Sequence, residues 1–130
     1  MWKQIETSRN NILLYLNYED FATIEVEKKT NNKGVTFYEI NFHLEDVTDQ
    51  SVVCYKLEDV KVVLEKAKDE IEDFYLDKDD YSDEEIYSWL DDFVELINEF
   101  KDNYCKDKWY FCYSISGKNM ILFLYISRRK

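Results

Sequence analysis

The hydrophobic pattern changes its period once, near Leu57, and that change constrains the fold more than any other feature of the chain. Before it, apolar residues recur at every second position. Ala22, Ile24 and Val26 alternate with Thr23, Glu25 and Glu27, and Tyr38, Ile40, Phe42 and Leu44 alternate with Phe37, Glu39, Asn41 and His43. A period of two places alternate side chains on opposite faces of a strand. After it, Leu57, Val60, Leu64, Ala67, Ile71 and Phe74 stand three or four apart, and so do most of Ile86, Trp89, Leu90, Phe93, Ile97, Phe100 and Tyr104. Each set lines one face of a helix. Ser82 with Glu85 three residues later is a capping box, and Asp83 and Glu84 put further acids at the positive end of the second helix.

Turns divide these runs. Asn31-Asn32-Lys33-Gly34 joins the two alternating runs as a hairpin, because Asn and Gly tolerate positive φ. A loop at 46–50 leads into a strand at Ser51–Tyr55, and Asp77-Lys78-Asp79-Asp80 separates the helices. The segment up to Tyr18 stays open between helix and strand: Trp2, Ile5, Ile12 and Leu16 allow a helix, whereas Ile12-Leu13-Leu14-Tyr15-Leu16 also reads as a buried strand. Beyond the helices, Trp109, Phe111, Tyr113 and Ile115 alternate again, and Met120–Ile126 is apolar on both parities, as expected of a central strand or one that meets a partner. The expected fold is α+β: an antiparallel sheet of about five or six strands in the order β-β-β-α-α-β-β, with two helices packed on one face. No linker, repeat or low-complexity tract interrupts residues 1–130, so one domain is expected.

Composition excludes several classes. With 3 Trp, 11 Tyr and 8 Phe the chain is too aromatic for a disordered acidic tail. No apolar run is long enough to span a membrane, and Met1-Trp2-Lys3-Gln4-Ile5-Glu6 lacks the layout of a secretory signal. Cys54, Cys105 and Cys112 are odd in number and form no C-x-x-C pair, so free thiols in a reducing cytoplasm are expected. Richness in Asn, Lys, Ile, Tyr and Asp suits an AT-rich bacterial or phage genome.

Chemistry finds little to work with. His43 is a single histidine on a strand, more in keeping with a surface or packed imidazole than a catalytic base. A zinc site would need carboxylates for most of its ligands. Read as a calcium loop from Asp77, the chain has Ser82 where glycine belongs and Ser88 where the bidentate glutamate belongs. Two glycines cannot build a phosphate-cradling loop. Neither an enzyme nor a cofactor or metal site is expected.

Charge is where the sequence speaks. Residues 1–57 carry net −3, residues 58–107 net −13 and residues 108–130 net +5, within a total of −11. The helical segment therefore holds more than all of the net negative charge, and from Ile86 to Phe100 there is no base. Such a charge run is in many proteins no more than a solvated helix face. Here the carboxylates outnumber the bases that could neutralise them, and a docking surface for a basic protein is expected. Its candidate residues are Asp69, Glu72 and Asp73 on the first helix, Asp77, Asp79 and Asp80 in the break, and Asp83, Glu84, Asp91, Asp92, Glu95 and Glu99 on the second helix. Tyr75, Tyr81 and Tyr87 are candidate aromatic anchors.

The expected function is that of a small acidic inhibitor, monomeric or weakly dimeric. It would bind a basic nuclease stoichiometrically, as an immunity protein against a toxin or as a phage anti-defence protein, with carboxylates in place of phosphates. The net charge opposes direct binding to nucleic acid or anionic membrane. Three alternatives follow from other features. A self-associating scaffold would match the basic C-terminal run to the acidic helices of a second copy. A small enzyme would need His43 beside a carboxylate. A single-strand nucleic-acid binder would stack bases on Trp109, Tyr110, Phe111 and Tyr113.

Overall fold

Five strands pair in chain order: β1 (Trp2–Gln4), β2 (Ile12–Tyr18), β3 (Ala22–Thr30), β4 (Thr36–Leu44) and β5 (Thr48–Cys54). Every pairing is antiparallel. Helix α1 (Leu57–Asp77), a 3₁₀ turn at Lys78–Asp80 and helix α2 (Asp83–Cys105) follow. This computed structural model describes residues 1–105. The α+β class and the two helices agree with the sequence expectation, but five strands rather than three precede the helices. The strands expected at 109–115 and 120–126 lie outside the described residues.

The N-terminal segment is extended, not helical. Leu14, Leu16 and Tyr18 stand opposite Val26, Ile24 and Ala22, and Trp2 stands opposite Tyr18. A bulge between Ile12 and Leu14 shifts the register there. A bulge breaks strand alternation locally, which is why 12–16 shows no clean period.

One end of the sheet is closed by the 31–34 turn. Gly34 has φ +81°, and the Asn31 side-chain oxygen accepts from the N–H groups of Lys33 at 2.8 Å and Val35 at 3.0 Å. At the other end the β2–β3 and β4–β5 turns use acids in the left-handed region: Glu19 (φ 52°), Asp20 (φ 55°) and Asp46 (φ 63°). Asn17 steadies the first of these, its side-chain oxygen accepting from the Asp20 N–H at 3.1 Å. The Glu45 N–H donates to the Phe21 carbonyl at 2.8 Å and ties the two turns together.

The core lies on one face of the sheet. Ala22, Ile24, Val26, Ile40, Phe42, Leu44, Val52 and Cys54 are buried there, and α1 and α2 cover them with Val60, Val63, Leu64, Ala67, Ile71, Phe74, Phe93, Ile97 and Phe100. Val63 joins the stripe expected for α1, while Leu57, at the first residue of the helix, is exposed. The helices run antiparallel, and their aromatic rings stack between them. Phe74 and Trp89 are 4.1 Å apart at 20°, and Trp89 and Phe93 are 5.0 Å apart at 14°. Phe93 then meets Phe42 of β4 edge-on at 6.2 Å. The capping box forms as the sequence predicts. The Ser82 N–H donates to Glu85 Oε1 at 2.9 Å and the Glu85 N–H donates to Ser82 Oγ at 3.2 Å, a motif worth about 1 kcal/mol.

Candidate functional site

On α1, Glu70, Asp73 and Asp77 are spaced three and four apart, and on α2 so are Asp92, Glu95 and Glu99. That spacing makes each trio a ridge along its helix. The antiparallel helices bring the ridges into one field. The Glu70 carboxyl is held above its ordinary range, first by partial desolvation and then by Asp73, by Asp92 of the other helix, and by Asp69. Sequence reading missed Glu70. Its register with Asp73 and Asp77 was the signal available.

Most of the expected site residues are solvent-facing. Asp69, Asp73, Asp77, Asp79, Asp80, Asp83, Glu84, Asp91, Asp92, Glu95 and Glu99 are all exposed. Glu72 departs from the group: it is half-buried, on the side of α1 that faces β2, where burial and then Glu72, Glu19 and Tyr75 raise the Tyr18 hydroxyl. Of the three tyrosines, Tyr87 is 67% exposed, whereas Tyr75 and Tyr81 are half-buried in the aromatic packing. Tyr75 touches Tyr18 at 5.2 Å and Phe21 at 5.4 Å, and Tyr81 touches Phe74 at 5.6 Å.

The acids on the strands and those on α2 are treated differently. On the sheet side Glu19 pairs with the N-terminal ammonium at 2.6 Å, Glu25 with Arg9, Glu39 with Lys29 at 2.6 Å, Glu27 with Lys29 at 3.8 Å, and Asp49 with His43. On α1, Glu65 meets Lys68 at 3.8 Å. Among the described residues no Lys or Arg forms an ion pair with a carboxylate of α2, nor with Asp69, Glu70 or Asp73.

The Glu70 environment sets a test. A carboxyl whose pKa is higher in the folded state than in the unfolded chain favours folding when protonated. That contribution is present below the unfolded value and is lost as pH rises through the folded one. Glu70→Gln is therefore expected to melt at a higher temperature than the parent at pH 7, with the gap closing below about pH 4. Thermal scans by circular dichroism across pH check this, and an equal or lower melting temperature at pH 7 would contradict the shared field.

The sheet face opposite α1 and α2 carries the other polar constellation. His43 and Asp49 pair across β4 and β5, beside Tyr15, Glu25, Asn41 and Ser51, and Lys101 of α2 reaches the rim of this shallow depression. Both members of the pair are well exposed to water. Cys54 is buried, and burial pushes its thiol up to about 12, far from the thiolate a nucleophile requires. Among the described residues no group of three or more His, Cys, Asp or Glu converges as a metal site, and no helix is long and apolar enough to cross a membrane. No family model matches the chain, and no curated protein or solved structure shows significant similarity to it.

Proposed function

We propose that this chain is a stoichiometric inhibitor of a basic, nuclease-type protein, and that the carboxylates of α1 and α2 occupy the track where that protein holds phosphates. One observation carries the proposal: the strand acids Glu25, Glu27, Glu39 and Asp49 each face Arg9, Lys29 or His43, whereas the acids of α2 and the middle of α1 have no ion pair among the described residues. An unmatched wall of like charge opposes folding by self-repulsion, and a basic partner is what turns that cost into binding. Inhibition is then steric, with charge complementarity governing encounter and orientation more than affinity. The partner is a toxin if the chain is an immunity protein and a defence nuclease if it is an anti-defence protein. The role is binding rather than catalysis, in the cytoplasm.

The test is capture followed by titration. The immobilised chain is exposed to lysate of the native host at about 50 mM salt, where screening reaches only beyond roughly 14 Å. The retained nuclease is purified and assayed. Its activity is expected to vanish at one equivalent of the chain, and association is expected to slow steeply as salt approaches 500 mM. A captured enzyme that keeps its activity in excess chain, or binding indifferent to salt, would overturn the proposal. A toxin-sized gene directly upstream would mark the immunity role, and a phage early region the anti-defence role.

A further inference from the structure

At the end of the sheet away from Gly34, a cleft of about 480 Å³ opens between the two acid-bearing turns and the end of α1. Its volume is within the range of ordinary ligand sites, ~300–1,000 Å³. Aromatic rings line it: Phe21 from the β2–β3 turn, with Phe74 and Tyr75 from α1. Phe21 lies 6.0 Å from Phe74 and 5.4 Å from Tyr75, tilted by 36° and 42°, and the buried Phe74 ring backs the other two. Acids line it as well: Asp20 from the first turn, Glu45 and Asp46 from the second, and Asp79 from the 3₁₀ turn, beside Glu19, which already holds the N-terminal ammonium. These carboxylates do not converge on a point as metal ligands do. They are spread around the Phe21 and Tyr75 rings, which are tilted 42° to one another, an arrangement that offers a cation a ring edge or face and several separate acceptors.

The molecule already holds a cation there. The Lys78 ammonium sits 5.7 Å from the Phe21 ring centroid and 5.3 Å from that of Tyr75, and it pairs with Asp79 at 3.3 Å. Both ring distances are within cation–π reach. A lysine supplied from within the chain thus already shows that these rings and Asp79 accept a cation.

We propose that this cleft is the anchor pocket for one arginine side chain of the basic partner, with Lys78 as its resident, displaceable occupant. This rests on the inhibitor function proposed above and adds to it a second contact, on the sheet turns rather than the helix wall. Guanidinium fits better than ammonium because it is planar, stacks on rings and carries five donors that several separated carboxylates can share. The wall guides approach through long-range charge. The cleft supplies a local, shaped contact, of the kind that fixes orientation once the partner has arrived.

The experiment is an NMR titration of the full chain with acetyl-Gly-Arg-Gly-amide, with its neutral citrulline counterpart, and with the lysine version, all at one ionic strength. The arginine peptide is expected to give saturable shifts confined to 19–21, 45–47 and 75–79. The citrulline peptide is expected to bind at least about tenfold more weakly, and the lysine peptide in between. Lys78→Gln removes the resident cation and is expected to tighten arginine binding by about two- to fivefold, the worth of an exposed cation–π contact. Glu45→Gln with Asp46→Asn should weaken it; Asn is tolerated at the positive φ of position 46, so the turn survives. Equal binding of the citrulline peptide, shifts confined to α2, or no gain from Lys78→Gln would overturn the pocket. Its failure is separable from failure of the inhibitor function. If the captured nuclease is still silenced at one equivalent, only the anchor falls. If the nuclease is indifferent to the chain while the peptide still binds, only the inhibitor function falls.

Discussion

The triple variant Asp91→Lys, Asp92→Lys, Glu95→Lys is expected to fold as the parent does, to melt no lower, and to associate with its basic partner about a hundredfold more slowly at low salt. All three side chains are exposed, and no base pairs with them among the described residues, so no ion pair among those residues is lost. Reversal brings a lysine at position 92 into the field of Glu70, where an aspartate now raises the Glu70 carboxyl, and so replaces repulsion with attraction. The net charge moves from −11 by six units toward zero. Steered association can exceed unsteered association by two to three orders of magnitude, so losing the centre of the wall removes much of that gain. Stopped-flow association at about 50 and 500 mM salt, beside circular dichroism melts, checks both halves. Normal association, or loss of the fold, would remove the helix wall as the docking surface.

Phe74→Ala is expected to cost about 3–5 kcal/mol, a large share of the roughly 5–15 kcal/mol that holds a domain of this size. Phe74 is 1% exposed and stands at the junction of the aromatic packing. It stacks on Trp89 at 4.1 Å, meets Tyr81 at 5.6 Å and Phe21 at 6.0 Å, and so connects α1, α2 and the β2–β3 turn. Truncation leaves a cavity that three large rings cannot close without leaving their positions. Urea unfolding measures the loss through the transition midpoint. A loss under about 1 kcal/mol would mean that the ring junction does not hold the helices together. Tyr87→Ala, at 67% exposure, is the natural control, expected within about 0.5 kcal/mol of the parent.

Which parts of this molecule were legible from sequence follows from how local each signal is. β3, β4 and their turn were readable because alternation, two Asn and Gly34 lie next to one another along the chain. The capping box was readable for the same reason, since Ser82 and Glu85 interact across three residues. The N-terminal strands were not, because the bulge at 12–14 erases the period and the evidence for strand lies in distant partners, Val26, Ile24 and Ala22. The acidic wall was visible as charge, but Glu70 became part of it only once α2 lay alongside α1. Glu72 was grouped with its neighbours in sequence although one step of 100° turns it toward Tyr18. The cleft could not be read at all: Asp20, Asp46 and Asp79 come from three separate turns that only the sheet and α1 bring together.

Strand order has a bearing on how this chain is made. Each strand of the sheet pairs with the one just synthesised, so pairing needs only short loop closures and can proceed while the ribosome is still at work. The side destined for α1 and α2, with Ile24, Ile40, Phe42 and Val52, then waits uncovered until about fifty further residues have emerged. Any variant that slows helix docking therefore shows itself first as aggregation during expression, before a lowered melting point is measured.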